Sequence, residues 1–187
     1  MRVIISFLVF LLLIILGLIF IFGGHKSKPT TTTKAPVVLP LPDYASTDAT
    51  VAMTLDGRVV GQDAHRAIRI TISRDSRLIE TIQGYNGNII DSHSYPNTEE
   101  AYQVFLKAIN NAGFMVKNKA KISADSSGQC PDGTRDIFTL NQGIDQLSNL
   151  WTSTCGLGNF GGSPDLVQGL FQAQITDYDT ITSQVEL

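Results

Sequence analysis

Cysteine, tryptophan and histidine are scarce in this chain of 187 residues: two, one and three respectively, with 17% of residues charged. The histidines, His25, His65 and His93, have no His, Cys, Asp or Glu at the spacings that hold zinc, so no metal site is read. A net charge of −3 argues against nucleic acid as the main partner. Basic residues stop at Arg135, and the six charged residues after it are all acidic, whereas five arginines fall between Arg58 and Arg77. This asymmetry fits either a domain with a basic and an acidic end or charges spread over exposed strand faces. No N-x-S/T acceptor is present, and no cysteine follows the apolar N-terminus to take a lipid.

Val3–Phe22 is what the chain has in excess: twenty residues, apolar except for Ser6 and Gly17, bounded by Arg2 and by His25-Lys26. A helix of that length spans the hydrocarbon layer of roughly 30 Å, and lipid leaves its backbone no other way to satisfy its hydrogen bonds. A cleavable signal peptide is the rival, with a shorter core and a small-residue cleavage site. The lipid bilayer is therefore the first partner, and residues 1–24 read as a signal anchor. Residues 25–49, with Thr30 to Thr33 among four prolines, read as an extended stalk. Lys26, Lys28 and Lys34 lean against an outside C-terminus, although long domains translocate largely regardless of charge. Cys130 and Cys155 read as one structural disulfide, which favours an extracytoplasmic domain over residues 50–187; two buried cytosolic thiols are the alternative.

That domain reads as α+β: an antiparallel sheet of six or seven strands with two helices packed on it. Thr50–Leu55, Asp56-Gly57 and Arg58–Gly61 have the pattern of a tight hairpin. Ile68, Ile70 and Ile72 alternate with Arg69, Thr71 and Ser73, which gives a strand with one buried face. Leu78–Gln83 and Asn88–Ser92 flank an Asn86-Gly87 turn. Asn97, with Glu100 as reciprocal partner, caps a helix whose apolar face is Ala101, Val104, Phe105, Ala108, Ile109 and Ala112. Gly113 stops that helix, with Phe114 packing back. Met115–Ser123 reads as a strand with Lys117, Lys119 and Lys121 along one face, either protecting an edge or meeting an anionic polymer or phospholipid. Strands at Arg135–Leu140 and Leu147–Cys155 follow, then a helix capped by Ser163 with Leu166, Val167, Leu170 and Phe171 inward. The tail from Ile175 reads as a last strand or a segment lying across the core.

Catalytic templates fail one by one. Gly156-Leu157-Gly158-Asn159-Phe160-Gly161 matches the dinucleotide fingerprint, but antiparallel signals surround it and only 26 residues follow, so no nucleotide or other cofactor is assigned. The segment reads instead as a mobile surface loop. Gly161-Gly162-Ser163-Pro164-Asp165 departs from the nucleophile elbow at its last position. Asp91, His93 and Tyr95 alternate along a strand face, as exposed polar faces do. No catalytic residue is assigned. The binding candidates are Trp151, Asn159 and Phe160 at the Gly-rich loop and Tyr85 with Asn88 at the hairpin tip, chosen for residue type and loop position. The function read is a membrane-anchored binding or assembly module of a bacterial-type envelope, meeting an envelope protein or an anionic polymer. A small envelope hydrolase, or an inhibitor of one, is the alternative.

Overall fold

The structure is a computed structural model that describes residues 39–120 and 122–187. The apolar run Val3–Phe22 and most of the stalk lie outside the described residues, and among the described residues no helix is long and apolar enough to cross a membrane. The packed core begins earlier than the end of the proline-rich stretch. A 3₁₀ turn, Leu41–Ser46, buries Leu41, Tyr44 and Ala45.

Six strands form one antiparallel sheet in the order β4-β3-β2-β1-β5-β6: β1 (Ala49–Asp56), β2 (Arg66–Ile72), β3 (Ser76–Gln83), β4 (Asn88–Pro96), β5 (Arg135–Gln142) and β6 (Asp145–Ser153). Register aligns the apolar residues into rows. Ile79, Ile70, Met53, Phe138 and Leu150 face one another across five strands, and all are buried. The Asp56-Gly57 hairpin is not formed. Asp56 pairs with Ala67 on one side and Arg135 on the other, so it closes a strand, and residues 57–65 make a loop instead of a two-residue turn.

Helix α1 (Glu99–Asn111) lies on this apolar face. Its cap is Thr98 rather than Asn97: Thr98 Oγ1 accepts from the Ala101 N–H at 3.2 Å, while the Asn97 amide donates to the Ser73 carbonyl at 2.6 Å. The buried face is Tyr102, Phe105, Leu106 and Ile109, turned from the expected one so that Val104 is exposed. Burying Tyr102 and Leu106 removes more apolar surface from water than burying Ala101 and Ala108 would. The Tyr102 hydroxyl is also satisfied, donating to the Ala49 carbonyl at 3.0 Å, and burial pushes its phenol pKa up. At the C-terminus Gly113 (φ 85°) and Phe114 complete a Schellman motif, with Phe114 N–H donating to Ile109 O and Gly113 N–H to Asn110 O.

Residues 115–120 and 122–123 do not form a strand. Pairing is confined to an isolated bridge, Lys117 with Phe160, because the chain turns away after meeting the Gly-rich loop, and Lys121 lies outside the described residues. Helix α2 (Pro164–Gln172) buries Val167 and Phe171, whereas Leu166 is exposed; Ser163 makes no side-chain capping bond. The tail forms a short helix, α3 (Tyr178–Thr182), not a strand.

Both sheet edges are blocked. On β4, Asn97 N–H donates to Asp75 O, so alternation turns Ser92, Ser94 and Pro96 outward. Ser92 N–H is taken by the Asp91 carboxylate, Pro96 has no N–H, and Arg77 holds the Pro96 carbonyl. A register shift at Thr81/Ile82 bends the edge further. On β6, residues 158–160 cover the edge through the Thr152–Gly158 bridge and the Phe160 N–H to Trp151 O bond.

Candidate functional site

The second face of the sheet is polar and partly covered by loops. Register builds two rows there: Ile82, Ala67, Asp56, Arg135 and Ser153, and next to it Glu80, Arg69, Thr54, Ile137 and Trp151. Over their junction lies a cavity of about 300 Å³, floored by Thr54, Asp56, Ala67, Ile82, Arg135 and Ile137. His65 and Tyr85 wall one side and Ser126 to Gly128 the other.

Arg135 is 2% exposed and fully engaged in direction. Its Nε donates to Asp56 Oδ2, Nη1 to the Gln129 carbonyl and Nη2 to the Gly57 carbonyl, each at 2.8 Å. A buried guanidinium needs both a counter-charge and hydrogen bonds for its remaining donors, and the ends of two loops supply them. The charges of Asp56 and Arg135 therefore cancel within the cavity wall. Alongside, Arg69 Nε donates to Glu80 Oε2 at 2.8 Å, a second opposed pair on the same face.

His65 is the unusual member. It is 2% exposed and its Nε2 lies 3.1 Å from Asp56 Oδ1, an ion-pair distance. The ring is not angled for a hydrogen bond, however, and neither Nδ1 nor Nε2 has a hydrogen-bonding partner among the described residues. The Asp56 contact is electrostatic rather than a directed hydrogen bond. Tyr85 stacks on the imidazole with ring centroids 4.1 Å apart and planes at 28°. The Tyr85 hydroxyl is fixed in turn, donating to Val60 O at 2.8 Å and accepting from Val60 N–H at 3.0 Å.

The opposite wall, the loop carrying Ser126 to Gly128, is pinned at both ends. Ser123 O accepts from Trp151 Nε1 at 2.8 Å and from Asn159 Nδ2 at 3.4 Å. At the other end Gln129 O is held by Arg135, and Cys130 is bonded to Cys155, with Cα atoms 5.7 Å apart. The expected disulfide is thus formed, and it anchors the loop that closes the cavity.

Of the sequence-chosen binding residues, Tyr85 borders the cavity and Asn88 is exposed nearby at the start of β4. Trp151, Asn159 and Phe160 are buried. Asn159 Oδ1 accepts from Trp151 N–H at 2.7 Å, and Phe160 packs on Phe138 with centroids 4.6 Å apart. Within the Gly-rich loop, Gly158, Asn159 and Phe160 are packed, while Gly156, Leu157 and Gly161 lie at the surface. A Cβ on Gly158 would lie 2.3 Å from Trp151 O, and one on Gly161 2.8 Å from the Lys117 carbonyl carbon, so close backbone approach accounts for two of the motif's glycines. Asp91 and His93 pair at 3.0 Å on the exposed edge strand, away from the cavity lining. Among the described residues no three His, Cys, Asp or Glu side chains converge as metal ligands.

Asp56, His65 and Arg135 carry the site and were not legible as one. Asp56 reads as a turn residue, and His65 and Arg135 stand nine and 79 residues from it. The one available signal is that Asp56 shares strand parity with Thr54 and Ala52, opposite the apolar Val51, Met53 and Leu55. The chain matches no protein-family model and no curated protein.

Proposed function

We propose that the protein is a membrane-anchored ligand-binding module of a cell envelope, with its domain on the extracytoplasmic side and the cavity at His65 as its binding site. The observation that carries this reading is the cavity of about 300 Å³ over the polar face, where Asp56, His65, Tyr85 and Arg135 come together. The anchor reading of Val3–Phe22 and the Cys130–Cys155 bond support an oxidising, extracytoplasmic setting. A photo-reactive residue placed at Tyr85 in intact cells tests the reading: a small-molecule adduct on the chain is expected, and recovery of lipid alone, or of nothing, would overturn it.

One observation favours a hydrolase as second reading. Asp56 stands beside His65, and Ser126 and Ser127 line the same cavity, so a carboxylate, an imidazole and hydroxyls share one space. The binding reading expects no turnover of a panel of activated esters. Turnover lost in His65→Gln and in a single serine-to-alanine variant would transfer the function to catalysis.

A further inference from the structure

Independently of what the cavity binds, we infer that the Cys130–Cys155 bridge is a thiol–disulfide exchange site for a dithiol protein, with Cys155 Sγ as the sulfur attacked and Cys130 Sγ as the sulfur that leaves. The two halves of the bridge have opposite surroundings. Cys130 is 4% exposed, whereas Cys155 is an exposed residue. Gly156 beside it is exposed too, and a Cβ placed there would meet nothing within 4 Å. On the inner side, a Cβ on Gly133 would lie 2.6 Å from Cys130 Sγ, so backbone walls in that sulfur. An incoming thiolate therefore reaches Cys155 and not Cys130.

Chemistry agrees with access, because exchange is faster when the departing thiolate is stabilised. Cys130 Sγ lies 3.6 Å from Thr154 Oγ1, and a disulfide sulfur carries no proton, so the hydroxyl is the donor. The same oxygen accepts from Thr134 N–H at 3.1 Å, which leaves its proton for the sulfur. Among the described residues Cys130 is also the one non-glycine residue at positive φ, 51°, a strained conformation that it is free to leave once the bridge opens. In the first step the partner's thiolate bonds to Cys155 Sγ, the Sγ–Sγ bond breaks, and its electron pair departs on Cys130 Sγ, which takes a proton from water. In the second the partner's other thiolate attacks its own sulfur in the mixed disulfide and expels the Cys155 thiolate, which is protonated in turn. The bridge gains two electrons and two protons, and the partner's dithiol, losing both, becomes a disulfide. In an oxidising compartment the same steps run backwards, so the Gln129–Cys130 end of the cavity wall is fastened through Cys155.

The test uses the full-length chain in lipid nanodiscs and, as probe, a recombinant Cys-X-X-Cys oxidoreductase whose second cysteine is replaced by serine, so that the mixed disulfide accumulates. Peptide mass spectrometry is expected to find the adduct on Cys155 at least about tenfold over Cys130, a difference that access alone supplies. An adduct shared evenly, or found mainly on Cys130, overturns the assignment of the two sulfurs. An adduct that forms only after the chain is denatured overturns the exchange site and leaves a purely structural bridge. Thr154→Val should slow adduct formation by about tenfold, the worth of one hydrogen bond to a developing charge, and Thr154→Ser should restore the rate. An unchanged rate in Thr154→Val, or no recovery in Thr154→Ser, overturns the part given to the hydroxyl. Ligand capture at Tyr85 is measured separately, so the failure of this inference and the failure of the binding-site reading are distinguishable.

Discussion

On the helix-covered face of the sheet, the row Ile79, Ile70, Met53, Phe138 and Leu150 buries five apolar side chains, while on the opposite face Ile82, Ala67, Asp56, Arg135 and Ser153 place a carboxylate and a guanidinium in the middle of a row. The same strands build both. The first face needs only volume and packing, which tolerate substitution of one apolar residue for another of similar size. The second needs partners: Arg135 is held by a strand residue and two loop carbonyls, so its stability depends on three separate parts of the chain arriving together. That dependence makes the polar face the place where loops are organised and where a cavity persists.

The largest expected effects break the two faces in different ways. Phe138→Ala should cost about 3–5 kcal/mol in chemical denaturation through the void it leaves. Arg135→Met should cost about as much, because it strands Asp56 and frees the Gln129 end of the loop; most of that loss should return in the double variant with Asp56→Leu. A double variant no better than Arg135→Met alone would show that the loop contacts, not the charge, dominate. Removing the disulfide by Cys130→Ser with Cys155→Ser closes no 25-residue loop in the unfolded chain and should cost about 3 kcal/mol. Its amide exchange should rise first in residues 122–130, and uniform acceleration across the sheet would count against a loop-anchoring role.

A smaller effect depends on pH. Asp136 lies on the apolar face in the row of Leu55, and burial, with the Asp165 charge adding to it, raises its pKa from 3.8 to about 6. The folded state therefore holds this proton more tightly than the unfolded state. The stabilisation is fully present below the ordinary value near 3.8 and is lost as pH rises through about 6. Asp136→Asn should remove this fall, at most about 3 kcal/mol and less after solvent screening of a partly exposed carboxylate, and raise the melting temperature at pH 7 more than at pH 4. Equal shifts at both values would place the carboxylate in water instead. Smallest is the helix cap: Thr98→Ala should cost about 1 kcal/mol, and Asn97 should fail to replace it because its amide is committed to Ser73.

Local signals were readable where physics is local. The alternation at Ile68, Ile70 and Ile72 and the stop at Gly113 appear as expected, since strand parity and left-handed glycine need no distant partner. Choices between similar local options went elsewhere. Thr98 displaced Asn97 as cap because Ser73, on a different element, claims the asparagine. Trp151 and Asn159 have residue types suited to binding, yet they hold Ser123 in place, a use visible only once residue 123 lies against β6.

The sequence by itself determined an antiparallel α+β domain and allowed one disulfide pairing, because hydrophobic period acts over a few residues and two cysteines can pair in only one way. Only the tertiary structure decided that Asp56, His65, Tyr85 and Arg135 meet around one cavity. Strand order brings β1 between β2 and β5, and no local rule encodes which strand a chain will pair with after 79 residues.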